Sequence, residues 1–332
     1  MQIPVGILLV LLIATPAAGE QIAEIEFFGY EGIDVVKMRT LLPVRRGDAF
    51  SDQTKDLIRE TVVRTIGKQP TDVAAICCDE NGNRMLFVGL PGGSYKSFAY
   101  RPEPAGRDRL PLLVMDLQAR LDRALHNAVL KGGDAVREDD SRGYALVNDP
   151  AARELQLAVR RWALKREREL VRVLELSSAV EHRRVASAAL GYARQSHRQI
   201  LALARAARDP DDDVRNNATR ALAVLVQSGS KLAAEIPPAA FIEMLSSGIW
   251  SDRNKATWLL DELTASRDPA LIQAIRSQAL DSLIEMARWR RPGHAFSARK
   301  ILGRVAGLPE DRLNDLAWNG PVEAMVEAAR RR

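Results

Sequence analysis

The four histidines, His126, His182, His197 and His294, stand far apart along the chain, and none belongs to a His-Glu-x-x-His zinc pattern. Neither a Gly-x-Ser-x-Gly nucleophile turn nor a Cys-x-x-Cys pair occurs. Catalysis needs acid, base or nucleophile groups that converge, and no local pattern supplies them, so no catalytic residue is expected. Cys77 and Cys78 are the only cysteines, and they are adjacent. Neighbouring Cα atoms lie about 3.8 Å apart, shorter than a disulfide prefers, so two thiols, at least one of them buried, are expected. The acids Glu138, Asp139 and Asp140 could offer oxygen ligands to a divalent cation, but loop acids are as readily just hydrated, and no metal is expected. Gly92 and Gly93 are not followed by Gly-Lys-Ser/Thr, which excludes a phosphate loop, and no other cofactor signature is present.

The elements that carry these residues sit in a chain of 332 residues, 46% hydrophobic and 27% charged, with a formal net charge of +5. That is enough chain for two modest domains with buried cores. Residues 20–90 are net acidic and the remainder net basic. A basic region can meet acidic proteins, anionic lipid or nucleic acid, but the signs are finely mixed and no zinc finger or RNP motif appears, so nucleic acid is not expected. Met1 to Gly19 holds an apolar run from Ile3 to Ala14 and then the small residues Ala17, Ala18 and Gly19. This reads as a secretory signal peptide with cleavage before Glu20, and it predicts an exported protein, periplasmic or secreted. No later stretch reaches spanning length, so no transmembrane segment is expected once the signal is removed.

Residues 20–90 predict a small α+β unit. Ile22 to Phe28 alternates apolar and polar like a strand. Helical patterns follow at Val35 to Leu42, ended by Pro43, and at Ser51 to Ile66, capped by Ser51. Asp72 to Cys78 and Met85 to Leu90 read as strands joined across Asn81-Gly82. The order β-α-α-β-β, with the phrases Ile25-Glu26-Phe27-Phe28-Gly29 and Leu42-Pro43-Val44-Arg45-Arg46-Gly47-Asp48-Ala49-Phe50-Ser51, resembles the polypeptide-transport-associated (POTRA) domain. That resemblance implies a place on the exported side of a membrane, in assembly or translocation machinery, with client segments bound by edge-strand pairing.

Residues 91–148 read as a breaker-rich extended linker, a helix over about 112–130 and a polar loop. From residue 149 to 308 the chain repeats itself. Four segments align without gaps so that Ala186, Ala218, Ala256 and Ala298 coincide, as do Leu190, Leu222, Leu260 and Leu302. Each aligned helix is preceded by another, at about 154–175, 197–207, 239–246 and 269–288. Helix pairs that cannot bury both faces alone must stack, which predicts an all-α solenoid with residues 309–332 as its cap. The run Asp209-Pro210-Asp211-Asp212-Asp213-Val214-Arg215-Asn216-Asn217-Ala218-Thr219-Arg220-Ala221-Leu222 closely resembles a HEAT repeat. By that resemblance Asp209 and Arg215 hold neighbouring units together. The fourth unit departs from the pattern, with Ala295 in place of the arginine.

If the shared alanines face inward, the residues two before and two after them point away from the partner helix. These columns are Arg184, Asn216 and Asn254 on one side and Ala188, Arg220, Trp258 and Lys300 on the other. The resemblance to HEAT proteins places them on a concave surface. A basic, amide-rich stripe with one tryptophan suits capture of a protein or peptide, since Trp and Arg dominate interface energetics. The alternative is that Trp258 packs on the adjoining unit and the charges only solubilise. The chain therefore reads as a non-enzymatic exported scaffold; its rival reading is an accessory factor of envelope protein assembly or translocation acting through the POTRA-like unit.

Overall fold

The computed structural model describes residues 20–332 apart from Cys78 and Glu80, so the expected signal peptide lies outside the described residues. The chain opens with β1 (Ile22–Phe28), α1 (Val35–Leu41), α2 (Asp52–Ile66), β2 (Asp72–Ile76) and β3 (Arg84–Gly89). The sheet order is β1-β3-β2, with β1 parallel and β2 antiparallel to the central β3. Asp34 caps α1, and a Ser51–Thr54 capping box starts α2. Ile25, Phe27, Leu86 and Val88 pack under Met38, Ile58 and Val62 of the two helices. Cys77 is disulfide-bonded, which corrects the expectation of two thiols; Cys78, the only other cysteine of the sequence, lies outside the described residues.

The alternating polar residues of β1 do not face water. Glu24 and Glu26 are 6% and 4% exposed, because the other face of the sheet lies on the helical body. Arg39 and Arg290 meet these carboxylates, and the Arg290 backbone N–H donates to Glu26 at 2.6 Å. Burial still dominates at Glu26, whose carboxyl is pushed up to about 7. Phe87 of β3 packs in the same interface between Trp250 and Trp289, each ring centroid 4.9 Å away.

Residues 91–110 contain neither helix nor strand, yet they are pinned along their length. Lys96 donates its backbone N–H to Ser246, Arg101 to Arg208 and Gly106 to Leu176, so the segment crosses the turns that join the two helices of three successive pairs. After α3 (Leu112–Lys131) and a short hairpin, β4 (Glu138–Asp139) and β5 (Leu146–Val147), come four helix pairs. They are α4 (Pro150–Leu176) with α5 (Val180–Leu190), α6 (His197–Ala206) with α7 (Asp212–Gln227), α8 (Ala239–Met244) with α9 (Trp250–Thr264), and α10 (Pro269–Ala287) with α11 (Pro292–Val305). The second members, α5, α7, α9 and α11, lie side by side, and α12 (Glu310–Asn319) and α13 (Val322–Arg331) close on α11.

Ala186, Ala218, Ala256 and Ala298 are all fully buried, and so are Leu190, Leu222, Leu260 and Leu302. Small side chains let the helices approach, and the leucines fill the space between them. Buried ion pairs cross the same seams: Arg183 to Asp209 at 3.0 Å, Arg215 to Asp252 at 2.8 Å and Arg253 to Glu285 at 3.3 Å. Asp209 thus takes Arg183 of the preceding helix pair and Arg101 of the extended segment, while Arg215 reaches the carbonyl of Asp209 and the Asp252 carboxylate of the next pair. No helix among the described residues is long and apolar enough to cross a membrane.

Candidate functional site

The outward residues of α5 and α7 form one wall of a groove of about 580 Å3, and α3 with the β4–β5 hairpin forms the other. Its floor is apolar or small: Leu121 and Leu125 from α3, Val185 and Ala188 from α5, Ala221 and Val224 from α7. Tyr144 and Tyr192 line one end. Gly191 lets the turn after α5 close on Ala221, where a Cβ would lie 3.0 Å from that side chain. Arg184 and Arg220 stand at the rim, each paired with an acid. Arg184 binds Asp211 through two hydrogen bonds of 2.9 and 2.6 Å, and Arg220 pairs with Glu138 of the hairpin.

A second cavity, sharing no lining residue with the groove, lies on α9 and α11. The Arg220 guanidinium lies 6.0 Å from the centroid of the half-buried Trp258 ring, and the Lys255 ammonium lies 5.7 Å from it. Asn254, Trp258 and His294 line a smaller cavity of about 160 Å3 with Trp289 as its back wall. Lys255 has no carboxylate within ion-pair distance among the described residues. Burial and the neighbouring Arg220 charge outweigh the pull of Glu138 and bring its ammonium down to about 8. Burial likewise holds the His294 ring below the usual imidazole range, with Lys255 and Arg291 adding to the effect.

The predicted columns are therefore split. Arg184 and Arg220 line the large groove, Asn254 and Trp258 line the smaller cavity, and the Arg220 guanidinium lies 6.0 Å from the Trp258 ring. Asn216 lines neither cavity and is half-buried, donating to Asn217 at 3.4 Å. Lys300 points along α11, pairing with Asp261 at 3.2 Å and lying 5.5 Å over Phe296. Lys255, His294, Glu138 and the two tyrosines escape sequence reasoning, because nothing in a repeat alignment reveals what α3 and the hairpin bring across.

The acidic clusters are committed elsewhere. Glu138 holds Arg220 and Asp139 holds Arg153 at 3.5 Å, so the run at 138–140 does not converge. Asp211, Asp212 and Asp213 bring oxygens within 4.8 Å of one another, but Asp211 caps α7 and binds Arg184.

No protein-family model matches the chain, and no curated protein matches it. The groove itself is thus the ground for a functional reading.

Proposed function

We propose that this chain is an exported, non-enzymatic binding protein in which α4 to α11 act as a HEAT-like solenoid holding a protein or peptide partner. The observation that carries this reading is the groove of about 580 Å3, with an apolar floor and a polar rim, beside whose Arg220 stands the half-buried Trp258 of the smaller cavity. Such a combination suits an extended segment, whose apolar side chains would fill the floor while its polar groups meet the rim. The test is a photo-cross-linking residue placed at Asn254 and, separately, at Ala75, in cells that make the protein. An adduct from Asn254 that is lost in Trp258→Ala with Arg220→Glu supports the groove. Adducts from Ala75 alone would overturn it.

A second reading rests on the sheet. A POTRA-like unit would bind clients at a strand edge, and β3 is central, so only β1 and β2 qualify. The outer side of β1 is occupied, since Ile22 exchanges hydrogen bonds with Gly47 and Asp48, and Arg39 reaches the Ile25 carbonyl. This leaves β2 as the edge to which an accessory role in envelope assembly would be assigned. N-terminal sequencing of the exported protein tests the targeting proposal, with Glu20 as the expected first residue.

A further inference from the structure

The smaller cavity, of about 160 Å3, is built on α9 and α11 and is separate from the large groove. Asn254 and Trp258 stand four residues apart on α9, and His294 and Ser297 three apart on α11, so each pair shares a helix face. Trp289 closes the back. Its indole N–H is given to the Phe27 carbonyl at 3.0 Å, which leaves only the ring to the cavity. Phe87 and Trp250 brace the His294 ring, with centroids 5.3 and 6.0 Å away.

Three polar groups on these walls are unmet. Among the described residues the Asn254 amide, the Ser297 hydroxyl and the His294 ring have no hydrogen-bond partner. No carboxylate, ammonium or guanidinium lines the cavity. Burial, with the Lys255 and Arg291 charges, holds the His294 imidazole below its usual range, so it is neutral at pH 7. Amide, hydroxyl and neutral imidazole can each both donate and accept.

This lining discriminates between classes of ligand. An ion would find no counter-charge in it, and a hydrocarbon ring would leave the three polar groups without partners. A hydroxyl donates and accepts as these groups do, and the C–H face of a saturated ring packs on an indole. The polar groups come from two different helices, which suits hydroxyls spread round a ring better than the polar edge of a flat base. A cavity of about 150 Å3 admits one six-membered ring.

We propose that this cavity binds a single neutral pyranose ring of a saccharide, stacked on Trp258 and hydrogen-bonded by Asn254, His294 and Ser297. The site is independent of the peptide reading of the large groove, because the two share no lining residue.

The experiment follows the Trp258 indole N–H signal of the intact exported chain by nuclear magnetic resonance, assigned from Trp258→Phe. The probes are the methyl pyranosides of glucose, galactose, mannose and N-acetylglucosamine, with uracil as the flat heterocycle. The expected result is a saturable shift with at least one pyranoside, in the millimolar range that suits so small a ligand. Ser297→Ala should weaken it several-fold, and Asn254→Ala with Ser297→Ala should abolish saturation. Should the double variant fail to fold, Ser297→Ala alone carries the test. No saturable shift with any of the four pyranosides, uracil binding more tightly than all of them, or wild-type affinity in Ser297→Ala would overturn the proposal.

Discussion

Arg183, Arg215 and Arg253 recur near the starts of α5, α7 and α9, and none is more than 1% exposed. Each is tolerated because a carboxylate from the next unit and backbone carbonyls of its own turn satisfy the guanidinium. Breaking such a pair strands the remaining charge, so Arg215→Leu should cost about 3–5 kcal/mol, read from the midpoint of urea unfolding. An unchanged midpoint would mean that the pair contributes nothing. Lys255 behaves oppositely, since it is a lysine that the fold desolvates without a carboxylate of its own. A folded-state value depressed to about 8 from 10.5 penalises the native state fully below pH 8, and the penalty fades between there and 10.5. Lys255→Met should therefore raise stability by about 1–2 kcal/mol at pH 7, with the gain gone above pH 11. Calorimetric melting at the two pH values checks it.

At the level of elements, the segment 91–110 and the turn after β1 share one anchor, Glu285 on α10. Its carboxylate accepts from the Gly29 and Tyr30 backbone at 2.7 and 2.8 Å, from Ser94 and from Arg253. Glu285→Ala removes four partners at once, and tryptic cleavage after Arg101 or Arg107 should become much faster than in the wild type. Equal cleavage rates would show that the segment is held by its other contacts alone. Glu26 sets a different dependence at the same interface. Its folded value of about 7 lies above that of an unfolded glutamate, so the native state binds the extra proton. The stability it contributes is present below about pH 4.5 and is lost as pH rises through 7. Glu26→Gln should raise the melting temperature at pH 8 but not at pH 4, an effect of up to roughly 3 kcal/mol. A gain of equal size at both values would contradict the assignment.

For the whole molecule, the sheet and the helices are not separable by their cores. Ala23, Phe28, Met85 and Phe87 belong to the same buried cluster as Trp250, Trp289 and the alanines and leucines of α5 to α11. The extended segment adds Phe98 and Leu110 to that cluster, and Tyr100 stacks over the Arg215 guanidinium at 4.6 Å. Shared burial and shared ion pairs couple the parts thermodynamically. Heating should therefore give one calorimetric transition for sheet and helices together, followed by Trp fluorescence and far-UV circular dichroism with the same midpoint. Two resolved midpoints would mean that the β unit melts on its own. This coupling also bears on the second functional reading, because a sheet fixed against the helices can offer β2 but cannot swing.

The order of the β unit and the helix pairs were legible because each depends on local periodicity: alternation for strands, apolar stripes for helices, Ser51 and the prolines for boundaries. The matching alanines and leucines were legible for the same reason, since stacking imposes the same small and large residues on every unit. What β1 buries could not be read, because Glu24 and Glu26 look like a solvated face until Arg39 and Arg290 arrive from elements distant in sequence. Residues 91–110 look like a linker for a similar reason: their partners lie in helices and turns far along the chain, as when Ser94 meets Glu285, 191 residues away. The columns Arg184, Arg220 and Trp258 followed from helical geometry, but the groove needed α3 and the hairpin as its second wall. Lys255 gave no signal at all, because a lysine becomes unusual only when tertiary packing removes its water and leaves its nearest acid paired with another residue.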